Sequence, residues 1–521
     1  MIGDELTYRI GQALGMVPTD DQRGAMTAFA RFMTERADRP VMVIRGSAGT
    51  GKTTLAAAIV RALLALRQKL VLLAPTGRAA KVFAQYAGHE AFTIHRRIYR
   101  QRSAGDLSVF NLNYNAAQDT LFIIDEASMV SQSSPAVGSE ASHTFGTGRL
   151  LDDLVEFVYS GRNCRMLLIG DAAQLPPVGE AASPALDADV LRSYYLHVYE
   201  ANLDQVLRQS QESGILWNAT SIRQMSETET SYLNAQRSTL NAQHEAPRTS
   251  YLIPRIKLSF PDIHVVNGDE LIDQLGSSYS RVGKDETIVI TRSNKRANIY
   301  NQGIRNRVLD REEELSFGDQ IMVVKNNYYW SLGGEVRGAR YEVQDSRYEV
   351  RGTRSEGRGA EFIANGDRAV VRRVRNEQEL YGLRFADATL TFPDYDDYEL
   401  TATVLLDTLT SEAPALTREQ QEQLFQGVMA DYADIPQKAE RMKKLKEDRY
   451  YNALQIKYSY AITCHKAQGG QWAHVYIDQG YMTDEMFTPD YIHWLYTAFT
   501  RAIEQLFLVN WPERQTEHND E

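Results

Sequence analysis

The chain has 521 residues, room for about three or four domains, and its 43% hydrophobic and 24% charged content is that of a globular protein with several cores. A formal charge of −11 excludes a general basic field, so any nucleic-acid partner has to be held by local cationic patches. Two distant cysteines, Cys164 and Cys464, argue against a zinc ribbon or an iron–sulfur cluster; with no secretory leader and no long apolar run, they lead us to expect a soluble cytoplasmic protein with no membrane partner.

Leu6, Ile10 and Leu14 recur at helical spacing over 4–16, and a second helical pattern runs from Gln22 to Arg36 with Thr19 or Asp20 as its cap. The apolar run Val41-Met42-Val43-Ile44 then enters Gly46-Ser47-Ala48-Gly49-Thr50-Gly51-Lys52-Thr53-Thr54, and a helix-forming run from Leu55 to Leu66 follows. Strand, Gly-rich loop and helix in that order form a phosphate cradle. The glycines let backbone N–H groups converge on phosphate oxygens, and the helix adds the positive end of its dipole. Residues 46–54 are thus the expected nucleotide site, with Lys52 reaching the β- and γ-phosphates and the Thr53 hydroxyl on Mg²⁺. Gln22, at a helix start upstream of this loop, is placed to read adenine through its amide.

The buried strand Leu70-Val71-Leu72-Leu73-Ala74 ends in Pro75-Thr76-Gly77-Arg78 before a helix from Ala79, which puts Thr76 and Arg78 where a parallel sheet binds ligands, here a backbone phosphate. Residues 91–118 break the alternation. Phe92, His95, Arg96, Arg97, Tyr99, Arg100 and Arg102 mix rings with cations, a composition suited to single-stranded nucleic acid. Strand-like pieces near Leu107–Phe110 and Leu112–Tyr114 predict an inserted hairpin that could act as a wedge. Leu121-Phe122-Ile123-Ile124-Asp125-Glu126 is an apolar strand ending in two acids: Asp125 for the Mg²⁺ shell, Glu126 to orient and deprotonate the attacking water. After a Ser/Gly/Ala-rich loop over 131–148, the strand Met166–Ile169 leads into Gly170-Asp171-Ala172-Ala173-Gln174-Leu175-Pro176-Pro177, whose prolines stiffen a loop that sets Gln174 at the same sheet edge to sense the γ-phosphate. Arg208 follows on a predicted helix.

Residues 210–285 are polar, and Thr287–Thr291 with the helix after it opens a second parallel-sheet lobe. Short alternating strands between Phe317 and Leu406, among them Ile321–Val324, Tyr348–Val350, Ala369–Val371 and Ala402–Leu405, predict an inserted β-barrel. Within that insertion the Arg- and Gly-rich stretch 334–360 reads as a nearly neutral loop, and Asp394-Tyr395-Asp396-Asp397 as a solvated turn. Residues 416–450 read as helical. In Thr463-Cys464-His465-Lys466-Ala467-Gln468-Gly469, a strand running into a helix start, Thr463, His465 and Lys466 can hold phosphate or sugar. Trp494–Ala502 carries Arg501, and the tail from Pro512 is expected to be disordered.

In this order, GSAGTGKT, APTGRAAKV, TIHRRI, FIIDEASM, LIGDAAQLPPVG, VLRQ, TCHKAQG and YTAFTRA resemble the motifs of superfamily-one helicases, and most of all the RecD-like and Dda-like branch with a UvrD-type C-terminal lobe. The resemblance implies an α/β fold of two RecA-like P-loop lobes, with a small hairpin insertion in the first and a β-barrel insertion in the second. The expected segments are 1–90 with 119–209, 91–118, 210–316 with 451–521, and 317–450. It implies ATP and Mg²⁺ as cofactors, Gln22 as the adenine reader, Arg208 and Arg501 as arginine fingers, Lys52, Asp125, Glu126 and Gln174 as the catalytic set, and Thr76 and His95 as single-strand contacts. It further implies an ATP-dependent 5′→3′ DNA helicase on single-stranded and duplex DNA in repair or recombination, with unidentified proteins of those processes as partners. The residues leave open an RNA helicase of the same architecture and a translocase that does not unwind.

Overall fold

The computed structural model describes residues 2–103, 106–133, 144–206, 213–225, 253–327, 329–330 and 363–517. Arg208, the strand expected at Tyr348–Val350, the stretch 334–360 and most of the loop at 131–148 lie outside them.

The first lobe is built on a six-stranded sheet in the order Ala91–Thr93, Lys69–Ala74, Thr120–Ile124, Arg165–Gly170, Pro40–Gly46, His197–Leu203. Every pairing is parallel. Strands buried on both faces read as unbroken apolar runs, which is why Val41–Ile44, Leu121–Ile124 and Met166–Ile169 carry no alternation. One face packs against the helices Ile2–Leu14, Asp20–Thr34 and Lys52–Ala65 through Phe29, Phe32 and Ile59. The other packs through Phe122, Phe157 and Leu168. Asp20–Thr34 starts with a capping box in which Thr19 Oγ1 accepts from Gln22 N and Gln22 Oε1 accepts from Thr19 N.

The second lobe carries a five-stranded parallel sheet in the order Ile263–Val266, Ala502–Val509, Trp472–Asp478, Thr287–Thr291, Ala461–Thr463. Inserted in it is a closed barrel of Gln320–Val323, Arg368–Leu380, Leu383–Phe392, Tyr398–Leu405 and Leu454–Tyr458. The fold is therefore α/β with two parallel sheets and a barrel insertion, as the motif order implies. The closing strand Leu454–Tyr458 lies beyond residue 450, where the sequence reading ends the insertion. Barrel and sheet share one core, with Ile321, Phe392, Tyr458, Tyr460 and Phe507 in a single cluster.

Three local expectations change. The hairpin strands are Tyr99–Ser103 and Asp106–Leu112, with Tyr99 opposite Leu112, so the cation-rich stretch is itself an arm of the hairpin. The tail beyond Pro512 is ordered through Glu517. Thr516–Glu517 pairs in parallel with Ile256–Lys257, and the buried Gln515 amide is bonded to Gln479 and Tyr491. The acidic turn is not free in solvent; Tyr395 is docked on the first lobe, as described below.

A buried ion pair anchors barrel to lobe. Arg305 and Asp319, with side chains 3% and 0% exposed, meet at 3.0 Å, and Arg311 and the Tyr460 hydroxyl also donate to Asp319. These donors outweigh desolvation and hold the Asp319 carboxyl below the ordinary carboxylate range. The stability it contributes is complete above that range and is lost as pH falls through the depressed value. Arg305→Met strands the carboxylate and should cost about 3–5 kcal/mol in urea unfolding. Its acid unfolding should also begin at a higher pH than that of the unaltered chain.

Candidate nucleotide and nucleic-acid site

The sheet order brings three loops to one edge. Thr120–Ile124, Arg165–Gly170 and Pro40–Gly46 are neighbours, so Asp125-Glu126, Asp171–Gln174 and the loop 46–52 leave adjacent strand ends on the same side. Gly49 and Gly51 take φ of 77° and 79°, the left-handed turn that lets the loop wrap over the start of helix Lys52–Ala65. Thr50 Oγ1 donates to Ser47 O at 2.8 Å, and Gln22 Nε2 donates to Thr50 O at 3.2 Å. Both polar ends of the Gln22 amide are thereby engaged, and the residue braces the loop against the capping box.

The cradle fits a polyphosphate. Lys52 Nζ donates to Ser47 O at 2.9 Å and lies 3.7 Å from Asp171. Among the described residues, the buried Ser47 Oγ and Gln174 Oε1 have no hydrogen-bond partner, and both belong to loops at this edge. Burial first, then the adjacent Glu126, raises the Asp125 carboxyl well above its ordinary range. Two neighbouring carboxyls beside a threonine hydroxyl form a donor set for a hard divalent cation. Among the described residues no group of three or more His, Cys, Asp or Glu side chains could hold a metal alone. A cation at Thr53 and Asp125 would therefore complete its shell from phosphate oxygens and water.

The far wall of this cleft is the second lobe. Helix Pro489–Phe499 lays one face on the first lobe. His493 Nδ1 contacts Ala173 O at 2.8 Å, Leu175 N donates to Thr497 Oγ1 at 2.8 Å, and Gln468 Nε2 donates to Leu175 O at 2.6 Å. Tyr496, 1% exposed, reaches furthest: its hydroxyl accepts from Ala48 N at 2.9 Å and donates to Asp171 Oδ2 at 2.6 Å. Arg501 is 2% exposed and is bonded within its own lobe, to Thr497 O, Gly470 O and Thr500 Oγ1. The sequence reading passed over Tyr496, His493 and Thr497, because a helix that is buried almost all round hides which apolar positions face another lobe. Asp171 carried a readable signal, an acid at a strand end beside the P-loop strand.

Of the expected nucleic-acid contacts, Thr76 and Arg78 lie where the lobes meet, on a second rim. Thr76 caps helix Gly77–Ala87 by accepting from Ala79 N at 3.2 Å, and its hydroxyl is 3.2 Å from where a Cβ on Gly469 would stand. Arg78 donates to Gln471 O and lies 4.3 Å over the Trp472 ring. Thr463 caps Cys464–Ala467 with no side-chain bond of its own, His465 is exposed, and burial followed by Lys457 lowers the Lys466 ammonium to about 8. His95 is half-buried against Tyr99, and desolvation brings its imidazole down to about 4, so it is neutral at physiological pH.

The barrel closes over this rim. Lys81 Nζ donates to Pro393 O, and the Arg96 guanidinium lies 4.3 Å over the Tyr395 ring. The Tyr395 hydroxyl donates to Asp367 at 2.7 Å. Burial raises Asp367 to about 6. A Cβ on Gly77 would come within 2.7 Å of the Tyr395 hydroxyl, so only glycine admits this contact. Ring stacking and a protected carboxyl explain why an acidic run is docked here at Tyr395 while Asp396 and Asp397 stay exposed.

Among the described residues no helix is long and apolar enough to cross a membrane. Residues 19–138 match the AAA domain model, and residues 458–509 match the UvrD-like helicase C-terminal domain model. The ATP-dependent RecD2 DNA helicase of Deinococcus radiodurans is 30% identical over 170 residues, 33% of this chain and 21% of that protein. The ATP-dependent DNA helicase dda of Enterobacteria phage T4 is 26% identical over 220 residues, 39% of this chain and 42% of that protein. The chain thus spans less than half the length of either curated relative. A Bacteroides Pif1 helicase crystallised with ADP-AlF3 and ssDNA is 15% identical, covers 96% of this chain and 94% of its own, and superposes with a TM-score of 0.41. The phosphate loop, the acid-tipped strand in the same sheet and the two domain matches agree with one another, and over part of its length the chain is similar to the helicases RecD2 and Dda.

Proposed function

We propose that this chain hydrolyses ATP between its two lobes and uses the cycle to move 5′→3′ along single-stranded DNA and to unwind duplex DNA, in repair or recombination. The observation that carries the reading is that one lobe supplies the phosphate loop while a helix of the other lobe is seated directly on it. ATP entering there has to be felt by both lobes. The likeness to RecD2 and Dda, each named an ATP-dependent DNA helicase, supports DNA as the substrate and supports the polarity only by analogy.

In this reading residues 46–54 bind the phosphates, with Lys52 leaving Ser47 O for phosphate oxygens. Thr53 and Asp125 would hold Mg²⁺, which would supply positive charge against that developing on the phosphate. Glu126 takes a proton from water as the water oxygen bonds to the γ-phosphorus and the bond to the ADP oxygen breaks. Gln174, with its Oε1 unpartnered, orients that water or the γ-phosphate. Arg501 and Arg208 serve as fingers, and Arg501 has to exchange its bonds to Thr497 and Gly470 for phosphate on the way. Thr76, Arg78, His95, Thr463, His465 and Lys466 line the strand path, from which the docked barrel turn has to lift or slide. The hairpin 91–118 splits the duplex ahead.

Lys52→Ala should lower DNA-stimulated ATP turnover by at least about 10²–10³-fold, the loss of one donor to developing charge, with an unchanged circular dichroism spectrum. A variant that kept full turnover would refute the site. Strand displacement on tailed duplexes should need a 5′ tail and fail with a 3′ tail, and DNA rather than RNA oligomers should stimulate the ATPase. Because the Lys466 ammonium is lowered to about 8, its phosphate contact is lost as pH rises through that value. Single-strand affinity should fall between pH 7 and about 9, and Lys466→Arg should flatten that limb.

A further inference from the structure

Tyr496 puts an oxygen of the second lobe on a backbone donor of the phosphate loop itself. Its hydroxyl accepts from Ala48 N at 2.9 Å, and the loop amides of such a motif point at phosphate oxygens when nucleotide is bound. The same hydroxyl donates to Asp171 Oδ2 at 2.6 Å. Asp171 in turn lies 3.7 Å from Lys52 Nζ and accepts from Ala173 N at 3.0 Å. A neutral oxygen therefore sits on the loop amide and a carboxylate beside the loop lysine, the two kinds of partner that a phosphate group supplies together.

We propose that Tyr496 is a positioning residue whose hydroxyl competes with phosphate for Ala48 N–H and is displaced from it by ATP or ADP. The inference rests on the nucleotide-site reading above and goes beyond it by naming the group the nucleotide displaces. Phosphate entering the loop takes over Ala48 N–H and Lys52. Tyr496 keeps Asp171 and loses its bond to the loop. Tyr496 lies on helix Pro489–Phe499, whose C-terminal end runs into Arg501, and Arg501 Nε is bonded to Thr497 O on that helix. Occupancy of the loop is thus passed to Arg501 through a single helix.

The test measures ADP and non-hydrolysable ATP analogue affinity with Mg²⁺, alongside steady-state kinetics, on the full chain and on Tyr496→Phe. The phenyl ring keeps the packing and removes only the oxygen. With the competing acceptor gone, the variant should bind ADP roughly five-fold more tightly, the fold-change for one neutral hydrogen bond, and should show lower KM together with lower kcat. Thr497→Val, which cuts the neighbouring lobe contact to Leu175 without touching Ala48, should not tighten ADP binding. Unchanged or weaker ADP binding by Tyr496→Phe would overturn the proposal, as would equal tightening by Thr497→Val, which would mean mere loosening of the lobes. Failure of the unaltered chain to bind ADP at all would instead refute the nucleotide-site reading. A melting curve on each variant separates a folding defect from either result.

Discussion

A backbone N–H withdrawn from water must find an acceptor, and in this chain that requirement is most exacting at Ala48. A phosphate loop is a concave array of donors held open by glycines at positive φ, and its helix adds further positive potential. Left to itself such a surface is costly to bury. Here the second lobe satisfies part of it, with the Tyr496 hydroxyl on Ala48, while Asp171 of the first lobe lies beside Lys52. Closure of the two lobes and the chemistry of the cleft are therefore one problem in hydrogen-bond accounting.

The same principle organises the opposite rim. Arg78 and Lys81, cations at the start of a helix, are partnered across the domain boundary by the carbonyls of Gln471 and Pro393, and Arg96 lies over the ring of Tyr395. Each of these partners is neutral, and neutral partners are readily exchanged for a phosphodiester. The strongly ionic contact, Arg305 with Asp319, lies instead at the root of the barrel, where exchange would cost the fold its stability. Permanent joints in this molecule are buried ion pairs, and working joints are single neutral hydrogen bonds and ring faces.

Around the phosphate loop the two lobes are joined by a few hydrogen bonds, among them Tyr496 to the Asp171 carboxyl. The apolar part of the joint is small: Leu175, with Ala48 and Ala173 at its edge, packs against the large second-lobe cluster that holds Trp472, Tyr491 and Trp494. Few apolar groups change hands as the cleft opens, so phosphate binding, worth a few hydrogen bonds, is of the right size to decide the equilibrium.

The sequence by itself determined the two parallel sheets, the phosphate loop, the acid-tipped strand at Asp125 and a helix cap at Thr19 or Asp20, of which the structure takes Thr19. Each of these is a local matter: apolar runs bury as parallel strands, glycines at set spacing make a left-handed turn, and a threonine before a helix takes its orphan N–H groups. It also placed Thr76 and Thr463 at strand ends and Lys466 at the helix start that follows, because strand ends are visible in the chain. Only the tertiary structure decided which residues answer them. Tyr496 reads as core until a second lobe is set against the P-loop. Arg501 is a finger by resemblance, and only the fold shows the three acceptors in its own lobe that it would have to leave. The acidic turn reads as solvated until Arg96 and Gly77 are brought under Tyr395 from far along the chain. Contacts between lobes are chosen by shape and by unsatisfied polar groups on two surfaces at once, and neither surface is written in the spacing of one segment.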